Sequence, residues 1–261
     1  MNENYLDRYA QILVQHALGL RPGQRLDVWG ELIHRDFALR IGEAAYSAGA
    51  GQVRYRLVDP LEAAQLIRRA SPEQIALHYL ENRGWLDDVL RTRGALLVLV
   101  GKGDPKILAE LQREHPRNHE LFAAESNAVS LELTRRVVDQ QICPASTAIC
   151  PTPAWARAVF PELSEADAHQ RFWTLLCEWT GADRDDATAH VEASARVLME
   201  RAHTLDALEI RELRLQGGGC DLRVGLSAAS RWQSGALSTA RASDSSSTFR
   251  RSRFSPPPTG G

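Results

Sequence analysis

Lysine is almost missing: of 31 basic residues in this 261-residue chain, only Lys102 and Lys106 are lysine, and arginine and alanine abound, as in translation of a GC-rich gene. With 33 acidic residues the formal net charge is −2. That balance supplies no concentrated basic surface for nucleic acid or an anionic membrane, so small or peptidic partners suit the chain better. No 18 apolar residues run together, and the opening MNENYLDRYAQ is acidic, without a signal-peptide core. The sequence therefore predicts a cytoplasmic protein with no membrane span. Four cysteines, Cys143, Cys150, Cys177 and Cys220, are scattered without a CxxC pair, so neither a disulfide framework nor a zinc knuckle is indicated and reduced, structural thiols are expected. Also missing are a GxSxG elbow, a Walker-type Lys-Ser/Thr and, among eight histidines, any HExxH.

What is present is a 44% apolar composition, ample for a buried core. Tyr5 to Leu18 has helical periodicity and is followed by the turn Arg21-Pro22-Gly23-Gln24. Leu26 to Trp29, Asp36 to Ala48 and Val53 to Val58 then read as strand, helix and strand. Three helices are expected over Pro60–Ala70, Pro72–Leu80 and Trp85–Arg93. The apolar run Ala95 to Val100, between Gly94 and Gly101, fits a strand buried on both faces of a parallel sheet. A helix over Pro105–Arg113, a helical stretch from Asn118 to Gln141 and a strand within Ile142–Ile149 follow. The alternation predicts a doubly wound, mostly parallel α/β layer over residues 1–150. Residues 151–240 read as helices over Pro153–Val159, Ser164–Trp179 and Asp186–Leu208, then a hairpin around Gly217-Gly218-Gly219. That hairpin opens a β-rich domain which the remaining sequence does not complete.

The chemical signals are sparse. Gly101-Lys102-Gly103-Asp104 follows a strand and precedes a helix, where anions bind, but lacks the third glycine of GxGxxG; a tight turn with a capping Asp104 is the competing reading. His115 and His119 have ligand spacing interrupted by Pro116. Asp183, Asp185 and Asp186 lack the glycine and terminal glutamate of a calcium loop and read as a helix-start charge cluster. Trp173 and Trp179 read as core residues of one helix. No residue emerges as catalytic, cofactor-binding or metal-ligating.

Longer segments carry more. Leu6-Asp7-Arg8-Tyr9-Ala10, Leu20 to Leu26 and Ala45 to Ala50 are similar to the opening of the aminopeptidase T family of metallopeptidases. The most specific match, Cys150-Pro151-Thr152-Pro153-Ala154-Trp155-Ala156 through Val159-Phe160-Pro161, resembles that family's PTPAWA segment. Leu205, Leu215, Gly217, Asp221-Leu222, Val224-Gly225-Leu226, Arg231-Trp232 and Gly235 extend the resemblance over residues 5–240. It implies a cytoplasmic, homodimeric exopeptidase that removes amino-terminal residues from peptides with two divalent metal ions, cobalt or zinc. Metal-bound water would attack the scissile carbonyl while a glutamate moves protons. In the family, the ligands begin with an Asn-x-Pro-Thr-Glu segment just past the hairpin and occupy the carboxy-terminal half. None maps onto this sequence, so the expectation is an inactive, truncated chain that binds no metal.

Residues 241–261 hold six Ser, four Arg, three Pro and two Gly, with no Leu, Ile, Val or Met, and are expected to be a disordered tail. Permissible codons for Arg241 to Gly261, read one frame away, give Asn-Leu-Pro-Thr-Glu, with the glutamate codon straddling Arg251 and Ser252. An out-of-frame tail is therefore expected. Two alternatives stand beside the aminopeptidase reading: a non-catalytic binding or dimerisation module, and a nucleotide-binding protein using Gly101 to Asp104.

Overall fold

The computed structural model describes residues 3–101, 103, 105–139, 142–232 and 234. Contacts divide the chain into two units, Met1–Val197 and Leu198–Gly261. The residues expected to form the out-of-frame tail, and Lys102 and Asp104 of the candidate anion turn, lie outside the described residues.

In the first unit, α1 (Glu3–Ile12) continues through a π-helical turn, Leu13–Ala17, into β1 (Arg25–Glu31). A 3-10 turn, Leu32–His34, leads to α2 (Arg35–Ser47) and β2 (Gln52–Val58). Next come α3 (Pro60–Arg69), α4 (Pro72–Arg91), β3 (Ala95–Val100), α5 (Pro105–Glu114), α6 (Pro116–Thr134) and β4 (Ala145–Ile149). The four strands are all parallel, in the order β2-β1-β3-β4. The doubly wound α/β layer is thus present. α7 (Pro153–Val159) and α8 (Glu165–Thr180) follow, and α9 (Ala187–Ala207) runs on into the second unit.

The helices expected over Pro72–Leu80 and Trp85–Arg93 are a single helix, because nothing crowds Gly84 and one glycine costs only about 1 kcal/mol in a helix interior. That helix starts at a capping box, in which Ser71 accepts from Gln74 N–H while the Gln74 side chain takes the Ser71 N–H. Asp59, Thr152 and Ser164 cap α3, α7 and α8, and α8 stops at Gly181 with φ 73°.

The two sheet faces differ in chemistry. Leu26, Val28, Val53, Leu97, Leu99 and Ala148 pack with α1, α2 and α8, where Phe37 lies between Tyr9 and Trp173. Fully burying each Leu or Val contributes roughly 1.5–3 kcal/mol. The face of Asp27 and Trp29 meets α4: Trp29 and Trp85 pack edge to face, and Asp27, Arg25, Arg54 and Asp88 form an ion network. In the second unit, β5 (Glu212–Gly217) and β6 (Cys220–Gly225) form an antiparallel hairpin. Among the described residues no further strand pairs with either.

Candidate functional site

In the order β2-β1-β3-β4 the chain moves from β1 to one side and then crosses to the other, so the loops after β1 and β3 diverge. Open α/β sheets bind ligands in the crevice this creates at the carboxyl ends of the strands. Among the described residues, a side chain of the protein takes part of that place. The 3-10 turn after β1 is a reciprocal cap in which the Glu31 carboxylate accepts from the His34 backbone N–H and the His34 ring accepts from Glu31 N–H. The same carboxylate reaches across to β3 and accepts from Gly103 N–H at 2.8 Å. An internal anion therefore takes two backbone amides that a phosphate would need.

His34 is 2% exposed. Its Nδ1 accepts from Glu31 N–H at 3.1 Å, which leaves the proton on Nε2. Nε2 faces the Gly101 backbone without closing a well-formed hydrogen bond. Burial pulls the imidazole below its ordinary pKa, against a smaller upward pull from the Gly101 backbone. Gly101 is fixed by contact, since a Cβ there would strike the Cys150 carbonyl as well as the His34 ring. Neither Glu31 nor His34 stands out from the sequence as a site residue. The legible signal was the Glu-x-x-His pattern at the end of a strand, a reversed capping box.

The other residues considered from sequence do not converge. His115 sits at the start of α6, and His169 Nε2 lies 2.9 Å from the Pro151 carbonyl oxygen and 3.0 Å from the Trp173 indole nitrogen. Asp185 pairs with Arg8 and Asp186 with Arg184, so the acidic run is a set of ion pairs. Trp173 is core, as expected, whereas Trp179 is 68% exposed because it falls on the outer side of α8. Burial pushes the Cys150 thiol up to about 12 and the Cys143 and Cys177 thiols up to about 11, far from nucleophilic. In the PTPAWA segment, Thr152 caps α7 and Trp155 packs edge to face on Phe172, which are structural duties.

Among the described residues no three His, Cys, Asp or Glu side chains converge as metal ligands. The carboxylates that do cluster face guanidinium groups, as Asp27, Asp88 and Asp221 do, and so do not fit a pair of divalent ions. No helix among them is long and apolar enough to cross a membrane. In the second unit, a cavity of about 400 Å³ is lined by Asp206, Arg211, Arg231 and Trp232, and Trp232 N–H donates to Asp206 at 2.8 Å.

The sequence pattern of the thermophilic metalloprotease (M29) family matches residues 2–246. The chain belongs to the M29 family. It is 31% identical to aminopeptidase T of Thermus thermophilus and 30% identical to that of Thermus aquaticus, over 90% of this chain in each case. Those alignments cover 56% of either relative, so the chain spans little more than half their length. The solved structure of wild-type AmpT from Thermus thermophilus superposes with a TM-score of 0.61 at 25% identity, covering 87% of this chain and 54% of that one. The M29 kinship thus extends over the α/β layer, the PTPAWA helix and the hairpin alike.

Proposed function

We propose that residues 1–240 are the amino-terminal scaffold of a metal-dependent aminopeptidase that releases amino-terminal residues from peptides. The supporting observation is the M29 match over residues 2–246, joined to 31% identity with an aminopeptidase T over 90% of the chain. In the full-length relatives two divalent ions, cobalt or zinc, would activate the attacking water. On this reading the ligands lie beyond the hairpin, and the 261-residue chain by itself binds no such pair and does not hydrolyse peptides. The reading also carries a cytoplasmic location and a homodimer.

Incubating the purified chain with leucyl-p-nitroanilide and added cobalt tests it. No release of nitroaniline is expected, and hydrolysis that a chelator abolishes would overturn the inactive reading. The gene tests the frame: an Asn-x-Pro-Thr-Glu reading one frame from Arg241–Gly261 is expected, and its absence removes the out-of-frame account. A second reading, a non-catalytic dimerisation module, draws support from the exposed hairpin β5–β6.

A further inference from the structure

The β5–β6 hairpin is a ribbon with two chemically distinct faces. Leu213 and Leu215 lie opposite Val224 and Leu222 on one face. Arg214–Asp221 and Arg223–Glu212 ion pairs, at 3.0 and 3.8 Å, mark the other. Leu215 and Leu222 are 53% and 47% exposed. A two-stranded ribbon is marginal in water until its apolar face or its edges find partners.

We propose that β6 is a self-pairing edge: two copies of the chain join antiparallel about a two-fold axis through Leu222, making one four-stranded sheet. The proposal rests on the homodimer reading above and names its contact. Gly218 and Gly219, with φ of 56° and 83°, form a two-residue turn of the I′ kind, so Gly217 and Cys220 are a hydrogen-bonded pair. Counting from there, residues 220, 222 and 224 spend their backbone groups on β5, whereas Asp221 and Arg223 turn theirs to the outer edge, with which no strand pairs among the described residues.

The strand Gly219-Cys220-Asp221-Leu222-Arg223-Val224-Gly225 reads alike from either end, with the charge inverted about Leu222. With Leu222 on the axis, Asp221 faces Arg223 of the second copy twice over, and Cys220 faces Val224 of the second copy. The outward backbone groups of 221 and 223 meet each other in the same register. Moving the axis to Asp221 or Arg223 sets like charges against each other, and moving it by half a residue sets charge against leucine. The β5 edge does less well, because pairing Glu212 with Arg214 of a second copy sets Arg211 against Leu215.

The test is sedimentation equilibrium of the full chain over a range of concentrations. A concentration-dependent dimer is expected, weakened about tenfold or more by Asp221→Arg or by Arg223→Asp alone. An equimolar mixture of the two variants should regain wild-type association, since each like-charge pair becomes an opposite one. Leu222→Cys in a Cys220→Ser background should give an interchain disulfide under mild oxidation, because a non-hydrogen-bonded pair holds its Cα atoms about 4.5 Å apart. A wild-type chain that stays monomeric overturns both the dimer and its contact. A dimer indifferent to either reversal, or a mixture without recovery, overturns the β6 contact and leaves the dimer reading standing.

Discussion

Asp27 and Arg54 meet across the β1–β2 pair, Oδ1 to Nε at 2.6 Å, with the Asp27 carboxylate wholly removed from solvent. Its other oxygen holds Arg25 Nε at 2.8 Å. Both guanidinium groups already have one buried NH2 nitrogen without a partner. Asp27→Ala would leave the two cations without their central anion, a change that costs about 3–5 kcal/mol when the site is fully buried. Because 31% of the Arg54 side chain stays in water, a loss of roughly 3 kcal/mol is expected from urea unfolding. A loss under about 1 kcal/mol would show that the network is a solvated surface feature.

Gly101 closes β3 against the Cys150 carbonyl, and a methyl group there has backbone, not a movable side chain, to displace. Gly101→Ala should cost about 1–3 kcal/mol in thermal or denaturant unfolding. An unchanged midpoint would mean that the β3–β4 crest relaxes freely.

His34 makes stability depend on pH. Burial lowers its folded pKa beneath the ordinary value of 6.5. The unfolded chain then binds the extra proton first as pH falls. The stabilisation is fully present above about pH 6.5 and is lost progressively below it. His34→Gln keeps an acceptor for Glu31 N–H but cannot titrate, so its stability should vary less than wild type between about pH 7 and about pH 5. Parallel profiles for the two proteins would contradict this assignment.

Thiol chemistry should be confined to one position. Cys220 is exposed, whereas Cys143, Cys150 and Cys177 are buried with thiols pushed up to about 11 or about 12. A dilute native sample treated with Ellman's reagent should react promptly at Cys220 alone, and Cys220→Ser should silence it. Fast labelling of a second cysteine would refute the buried assignment.

Much of the α/β layer was readable because β3 is an apolar run between Gly94 and Gly101, Gly51 precedes β2, and α3 and α4 begin at the Asp59 and Ser71 caps. Ala95–Val100 illustrates this: its expected and observed bounds coincide. The sequence suggests a break that α4 does not have, because Gly84 and its neighbours look like punctuation, while cooperative helix hydrogen bonding carries the chain through. Trp179 was misplaced because a large aromatic side chain argues for burial, although the helical phase of α8 turns it outward. The Glu31–Gly103 bond was invisible for a different reason. It joins residues 72 positions apart, and only the crossover topology brings them together.

That bond bears on what the sheet can do. A carboxylate tethered one hydrogen bond from its amide has an effective concentration in the millimolar range or above, which a free metabolite anion must outcompete to enter. Evicting Glu31 would also undo the turn that seats His34. Among the described residues, the Gly103 and His34 amides at this end of the sheet are thus already committed to an internal carboxylate, which an entering anion would first have to displace.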